Sequence, residues 1–169
     1  MGIELNLPLW FHLSIHFSVA ILSGYFLGKY FKRIRLGLIA GILGGFLIDL
    51  DHVLEYFFTF GLRFNLHNFL NGYQFLASDK IYLVFHAYEF IILLSILAFL
   101  FRKKYNIKVF IIILMISGVI HLLSDTVINN YPLKNYTITY RAINNFSAPQ
   151  LLNSEQIQKN IEFKKQLEI

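Results

Sequence analysis

Four short motifs place acidic and imidazole side chains inside or beside strongly apolar stretches of this sequence. The motifs read FHLSIHF, LIDLDH, FHAYEF and HLLSDT. Their ionisable residues are His12, His16, Asp49, Asp51, His52, His86, Glu89, His121 and Asp125. Carboxylate oxygens and imidazole nitrogens are ligands that zinc and related divalent cations accept from proteins. The set therefore predicts a metal site.

The spacing within each motif agrees with helical ligand pairs. Residues three or four positions apart share one face of a helix. The pairs are His12 with His16, Asp49 with His52, His52 with Glu55, His86 with Glu89, and His121 with Asp125. Asp49 and Asp51 cannot share a face of a regular helix, so one of them is expected to orient a ligand or to serve a second metal.

The elements that must position these residues are apolar enough to cross a bilayer. The chain has 169 residues, of which 56% are hydrophobic and 15% charged, and its mean hydropathy is +0.56. Four stretches reach the roughly 20 residues that a membrane-spanning helix needs: 9–28, 36–60, 81–101 and 109–129. We therefore predict an all-α integral membrane protein with four transmembrane helices in residues 1–133. Residues 134–169 are predicted to form a polar tail with a short amphipathic surface helix capped by Ser154, and the tail carries no predicted chemistry.

Basic residues predict the orientation of these spans. Lysine and arginine cluster in 29–35 and in 102–108, and short loops rich in these residues stay in the cytoplasm. Both termini and the connection 63–80 are then extracytoplasmic. These two clusters also explain the net charge of +5, so we predict no nucleic-acid partner. The predicted location is the plasma membrane, crossed several times.

The motifs also share one depth. Counted from the basic end of its own span, each of the nine residues lies thirteen to seventeen positions along, or roughly 20–26 Å at 1.5 Å per residue. A carboxylate in the hydrocarbon costs about 2.5–3.5 kcal/mol, and a bound cation offsets that cost. We expect one polar layer near the extracytoplasmic surface. His12, Glu55 and Glu89 are its weaker candidate ligands, and Glu55 is expected to be solvated.

Several other site chemistries are excluded or disfavoured. The absence of cysteine excludes thiolate ligands and cysteine nucleophiles. Ser124 lies near His121, but the sequence around it does not form the exposed turn that a nucleophilic serine requires. No glycine-rich phosphate loop occurs. The glycines Gly41, Gly44 and Gly45 are typical of close helix packing.

In order and spacing, the four motifs resemble those of the membrane-bound metal-dependent hydrolase family. Its members are small bacterial membrane proteins with an early histidine, an Asp-x-Asp-His motif, a third histidine motif and a closing His-x-x-x-Asp. The resemblance runs from His12 to Thr126. It implies a metal role for His16, Asp49, Asp51, His52, His86, His121 and Asp125. The family's third motif usually has two histidines followed by serine, whereas this chain has His86-Ala87-Tyr88-Glu89. A further similarity, to zinc-dependent phospholipase C, implies phosphoester hydrolysis.

The leading functional hypothesis is a metal-dependent hydrolase acting on a phosphoester of a lipid or other amphiphile at the extracytoplasmic surface. It holds one or two ions, with zinc favoured over manganese or iron, and the candidate catalytic residues are Asp49, Asp51 and Glu89. The expected partners are the lipid bilayer and an amphiphilic substrate. Three alternatives stay open: a metal or proton transporter, a di-iron redox bundle with Glu55 and Glu89 as ligands, and a metal-binding protein without catalysis.

Overall fold

The computed structural model is helical, as predicted. It describes residues 9–70, 72–129 and 131–167, without the side chains of 9–12, 47, 159, 163, 166 and 167. No β-strand occurs among the described residues. The α-helices are α1 (Leu9–Tyr30), α2 (Ile34–Gly45), α3 (Leu50–Phe60), α4 (Leu66–Leu70), α5 (Tyr73–Ser78), α6 (Glu89–Leu100), α7 (Tyr105–Ile128), α8 (Ile138–Ile143), α9 (Ala148–Leu151) and α10 (Ser154–Leu167). Short 3₁₀ helices span Leu47–Asp49 and Leu133–Tyr136.

Glycines let α1, α2 and α7 pack backbone against backbone. A Cβ atom on Gly41 would come within 2.5 Å of the Ala20 carbonyl oxygen of α1, and one on Gly44 would overlap the Leu114 carbonyl of α7. The close approach predicted for Gly41, Gly44 and Gly45 is therefore confirmed. The Ser23 and Ser117 hydroxyls add a 2.9 Å hydrogen bond between α1 and α7.

The two basic loops lie side by side at one end of these helices. The Arg33 Nε donates a hydrogen bond to Asn106 Oδ1 at 3.0 Å. The Tyr105 hydroxyl donates to the Phe31 carbonyl at 3.1 Å, and the Arg33 guanidinium stacks over the Tyr105 ring. The basic clusters predicted to share one side of a membrane are thus neighbours in space.

Two segments among the described residues are long and apolar enough to cross a membrane, Ile34–Phe60 and Tyr105–Ile128. A further helix, α6, is apolar but only 12 residues long. Large apolar side chains on these segments and on α6 face outwards, among them Ile39, Phe58, Ile92 and Phe99. A solvated domain would normally bury such a surface.

The second predicted span is not one regular helix. α2 ends at Gly45, the 3₁₀ turn Leu47–Asp49 follows, and α3 begins at Leu50. A tighter 3₁₀ turn changes the angle between successive side chains. This break lets Asp49 and Asp51 approach the same partner, which a regular helix would prevent.

The helical prediction for the third span is wrong over 81–88. Helix α6 begins at Glu89, and the preceding residues form an irregular segment, which we call the His86 loop (residues 81–88). Leu83 in this loop has a positive φ of 37°, a conformation uncommon for a side-chain-bearing residue. Because His86 precedes α6, it does not form the predicted helical pair with Glu89.

The polar tail folds over the His86 loop. The Tyr88 amide donates to the Tyr136 carbonyl and the Ile81 amide to the Phe146 carbonyl, each at 2.9 Å. The helix predicted from Ser154 is present as α10. Its first turn is stabilised by reciprocal hydrogen bonds between Asn153 and Gln156, so the capping residue is Asn153 rather than the predicted Ser154.

Candidate metal centre

Three overlapping groups of histidine and aspartate converge where α1, the α2–α3 break, the His86 loop and α7 meet. Within each group the candidate ligand atoms lie within 4.8 Å of one another. The groups are His16, His121 and Asp125; Asp49, His86 and His121; and Asp51, His52 and His86. All seven residues to which the motif resemblance assigned a metal role are therefore together, and these buried groups could hold a metal ion.

The Nε2 atoms of His86 and His121 form the centre of the cluster and lie 3.2 Å apart. Asp49 Oδ1 is 3.2 Å from His86 Nε2 and 3.5 Å from His121 Nε2. Asp125 Oδ2 is 3.5 Å from the first nitrogen and 3.2 Å from the second. We call these four atoms the central cage. They come from the α2–α3 break, the His86 loop and α7.

The Nδ1 atom of each central histidine is already within hydrogen-bond distance of another group. His121 Nδ1 lies 3.1 Å from the Gly45 carbonyl oxygen, and His86 Nδ1 lies 2.9 Å from Asp51 Oδ2. Both partners are hydrogen-bond acceptors, so both Nδ1 atoms must donate. In the neutral rings, each Nε2 then presents a lone pair to the other. A metal ion held between these two nitrogens and the two carboxylate oxygens would satisfy both lone pairs.

Orienting a histidine through its second nitrogen is typical of metal sites. A metal-binding histidine usually donates its other N–H to a carboxylate or a backbone carbonyl, which fixes the tautomer and the ring orientation. Asp51 has this position behind His86, and the Gly45 carbonyl has it behind His121. Asp51 is thus placed to orient the candidate ligand His86. Orienting a ligand is one of the two roles that the sequence left open for Asp49 or Asp51.

His16 extends the cluster through the second oxygen of Asp125. His16 Nε2 lies 3.1 Å from Asp125 Oδ1, while Asp125 Oδ2 faces the central cage. Both side chains are buried. His52 is more peripheral, with its Nε2 3.9 Å from Asp49 Oδ1 and its side chain 32% exposed. The His12 side chain lies outside the described part of the chain.

Two carboxylate oxygens in the cluster are buried without a hydrogen-bond partner among the described residues, Asp49 Oδ2 and Asp51 Oδ1. Burying a charged oxygen unpaired is costly, so such atoms usually mark a functional site, an ion or a water. Asp49 is also the more exposed carboxylate of the central cage, at 21% against 4% for Asp125.

Buried charged side chains hold the His86 loop in place. The two carboxylate oxygens of Glu55 accept the amides of Tyr82 and Leu83 at 2.8 and 2.9 Å. Asp51 Oδ2 accepts the amide of Phe85 at 2.9 Å. Glu55 is only 2% exposed, so the expectation that it is solvated is wrong. Its oxygens are committed to loop amides, which gives it a positioning role in place of metal ligation.

Arg141 of α8 holds the same loop from the opposite side. Its guanidinium donates to the carbonyls of Tyr82, Leu83 and His86 at 2.6, 2.9 and 2.9 Å. Burial lowers the pKa of Arg141 below its ordinary value, and nearby carboxylates, Asp51 first, oppose that shift. An arginine stays protonated in proteins. The positive φ of Leu83 persists because Glu55 and Arg141 fix both sides of its backbone.

Sequence reasoning assigned no chemistry to the tail and therefore missed Arg141. The residue is 2% exposed, and it follows the apolar and hydroxyl residues of "YTITY". A lone arginine in such a stretch, after a segment apolar enough to cross a membrane, was the available signal. The acceptors it binds are backbone carbonyls of a loop that the periodicity assigned to a helix, so no sequence pattern pointed to them.

Glu89 lies outside the three groups. Its Oε1 accepts hydrogen bonds from the amide and the hydroxyl of Thr139 at 2.9 and 3.0 Å. The structure therefore ties Glu89 to the tail and gives no support to the catalytic role predicted for it. The di-iron alternative needs Glu55 and Glu89 as ligands, and both carboxylates have other partners.

A cavity of about 540 Å³ opens from the cluster. Asp49, His52, His86 and Asp125 belong to its lining, and most of the other lining residues come from α4, α5, the His86 loop and the tail. Burial raises the pKa of the Tyr136 phenol in this wall, which keeps it a neutral hydrogen-bond donor. The volume is in the range of small-molecule sites, so a ligand here would contact the candidate metal ligands directly.

Comparisons with family models, with curated proteins and with solved structures found no match to this chain.

Proposed function

We propose that this protein is a zinc-dependent hydrolase of the plasma membrane that cleaves a phosphoester of a lipid or other amphiphile near the extracytoplasmic surface. The observation that carries the proposal is the central cage, whose two Nε2 atoms face each other while their rings donate elsewhere. The order of the four motifs adds the resemblance to membrane-bound metal-dependent hydrolases.

The dimensions of the central cage favour zinc. Five of its six interatomic distances lie between 3.2 and 3.5 Å. Neighbouring ligands about 2.0 Å from a tetrahedral zinc ion lie about 3.3 Å apart, close to the 3.2–3.5 Å that separates the His86, His121 and Asp125 atoms of the cage. Neighbouring ligands of an octahedral ion at about 2.1 Å would lie closer together, at about 3.0 Å.

Asp49 is the cage residue best placed to take part in the reaction. Catalytic zinc keeps three protein ligands and leaves a position for water or substrate. We assign His86, His121 and Asp125 as the fixed ligands, because they are at least 96% buried in their side chains. Asp49 lies on the cavity side and has an unpartnered oxygen. We assign it the role of holding the attacking water and accepting its proton.

In the proposed hydrolysis, Asp49 transfers a proton from the attacking water to the leaving group. Zinc held by His86, His121 and Asp125 would supply a water of lowered pKa. Asp49 would take the proton of the attacking water as its oxygen bonds to phosphorus and the ester P–O bond breaks, and Asp49 would then give that proton to the leaving alkoxide. A positioned general base of this kind contributes about 10²–10⁴-fold to the rate.

The membrane arrangement completes the proposal. We propose four crossings, formed by α1, α2 with α3, α6 with the His86 loop, and α7. A helix of 12 residues spans only about 18 Å, less than the roughly 30 Å of hydrocarbon, so the His86 loop would complete the third crossing. Irregular backbone is tolerated at that depth only where protein groups satisfy it. Asp51, Glu55 and Arg141 do this for the loop.

The test is release of a phosphorylated product from bacterial phospholipids in mixed micelles with the zinc-loaded protein. Asp49→Asn should keep zinc but lower the rate by about 10²–10⁴-fold, whereas Asp125→Asn should lose zinc and activity together. Asp79→Asn, at an exposed carboxylate outside the cluster, is the matched control. Full activity in Asp49→Asn would refute the assigned role. Uptake of metal into vesicles without any product would favour the transporter.

A further inference from the structure

The cavity beside the central cage has a lining that is unusual for a phosphoester site, because its described walls hold almost no free positive charge. No described lysine lines it, and its one arginine is Arg141. That guanidinium donates to four backbone carbonyls, those of Thr137, Tyr82, Leu83 and His86. Among the described residues, the cavity wall therefore has no lysine or uncommitted arginine to bind a second anionic group, and the phosphate charge would be bound at the metal centre.

Besides the Tyr131 and Tyr136 phenols, amide side chains supply the hydrogen-bonding groups of the wall. Those described are Gln74, Asn129, Asn135, Gln156 and Asn160. Gln74 is 1% exposed, yet its Oε1 has no hydrogen-bond partner among the described residues, and the same is true of Asn135 Oδ1. Leaving a buried acceptor unsatisfied destabilises a protein. Two such oxygens in one wall point to a ligand that brings its own donors.

We propose that this cavity binds the headgroup of the substrate and selects a hydroxyl-bearing headgroup, such as glycerol, over one without hydrogen-bond donors, such as choline. This inference rests on the proposed function, since it places the phosphoester at the metal centre. A hydroxyl donates to an amide oxygen and accepts from an amide N–H, so it matches a wall of glutamine and asparagine. A quaternary ammonium group does neither. A site that hydrogen-bonds a substrate hydroxyl rejects analogues lacking it.

The experiment compares phosphatidylglycerol and phosphatidylcholine with the same acyl chains, each in the same detergent micelles with zinc-loaded protein. The wild-type ratio of kcat/KM values should favour the glycerol headgroup by at least about tenfold. Gln74→Met should lower that ratio by about tenfold, the effect of one hydrogen bond, and Gln74→Glu, which keeps an acceptor oxygen, should retain a preference. Gln158→Met, in the exposed part of α10, is the control. A wild-type ratio near one, or one unchanged in Gln74→Met, overturns the inference.

A binding measurement separates this inference from the proposed hydrolysis. Glycerol 1-phosphate and phosphocholine are each titrated into the zinc-loaded protein, with the shift in thermal unfolding as the readout. A larger shift with glycerol 1-phosphate, reduced in Gln74→Met, supports the headgroup site even if no lipid is cleaved, in which case only the hydrolase proposal fails. Equal shifts, or no shift with either compound, overturn the headgroup site even if lipids are hydrolysed.

Discussion

Replacing Arg141 with methionine should weaken zinc binding although Arg141 touches no metal. The substitution keeps an unbranched side chain but removes the donors to the carbonyls of Tyr82, Leu83 and His86. Each such bond to a charged group contributes about 1.5–3 kcal/mol, and part of the loss is recovered when water or backbone movement satisfies the carbonyls. Residues that support metal ligands typically change affinity by 10–100-fold, which we expect here.

The assay is competition for zinc between the purified protein and a chromogenic chelator, with helical content checked by circular dichroism. Arg141→Lys should bind zinc nearly as weakly as Arg141→Met, because a lysine retains the charge but not the planar fork that reaches three carbonyls. Arg102→Met, at an exposed arginine over the Phe99 ring, is the matched control and should bind like the wild type. Wild-type affinity in Arg141→Met would refute the view that the tail positions His86.

Three further predictions concern the other elements. Asp51→Asn should weaken zinc binding by about 10–100-fold, since it alters the partner of His86 Nδ1, and the same chelator competition measures it. Gly44→Val should destabilise the protein by about 1–3 kcal/mol, because its Cβ would overlap the Leu114 carbonyl. Gly118→Ala should destabilise it less, because that Cβ would lie 3.3 Å from the Gly44 carbonyl. Thermal unfolding in detergent compares the two variants. Because the chain lacks cysteine, single cysteines at Ser154 and Lys103 report topology: an impermeant thiol reagent added to intact cells should label the first and spare the second, and the reverse pattern would invert the orientation.

The motifs predicted the seven residues of the histidine–aspartate cluster but not its geometry, and they also included Glu89, which lies outside it. His121 and Asp125 lie on a regular helix, so their separation of four positions was enough to place them together. Asp49 and Asp51 were harder, because a regular helix would turn one of them away. The 3₁₀ turn at Leu47–Asp49 removes that restriction, and no hydropathy pattern reports such a turn inside an apolar stretch.

The His86 loop shows why periodicity misassigned the start of the third span. Its residues are apolar enough to continue α6, but their backbone groups bond to Glu55, Asp51 and Arg141 in place of helical partners. Those three side chains come from α3 and α8, so the loop conformation depends on contacts distant in sequence. Local patterns cannot contain that information.

Zinc K-edge X-ray absorption on protein purified in mild detergent tests the central claim most directly. The facing Nε2 atoms of His86 and His121, together with Asp125 and a water held by Asp49, predict one zinc with four nitrogen or oxygen neighbours at about 2.0 Å and the outer-shell scattering of two imidazole rings. That scattering should disappear when both histidines are replaced by alanine. Protein that binds no zinc, or zinc whose spectrum contains no imidazole, would contradict the account.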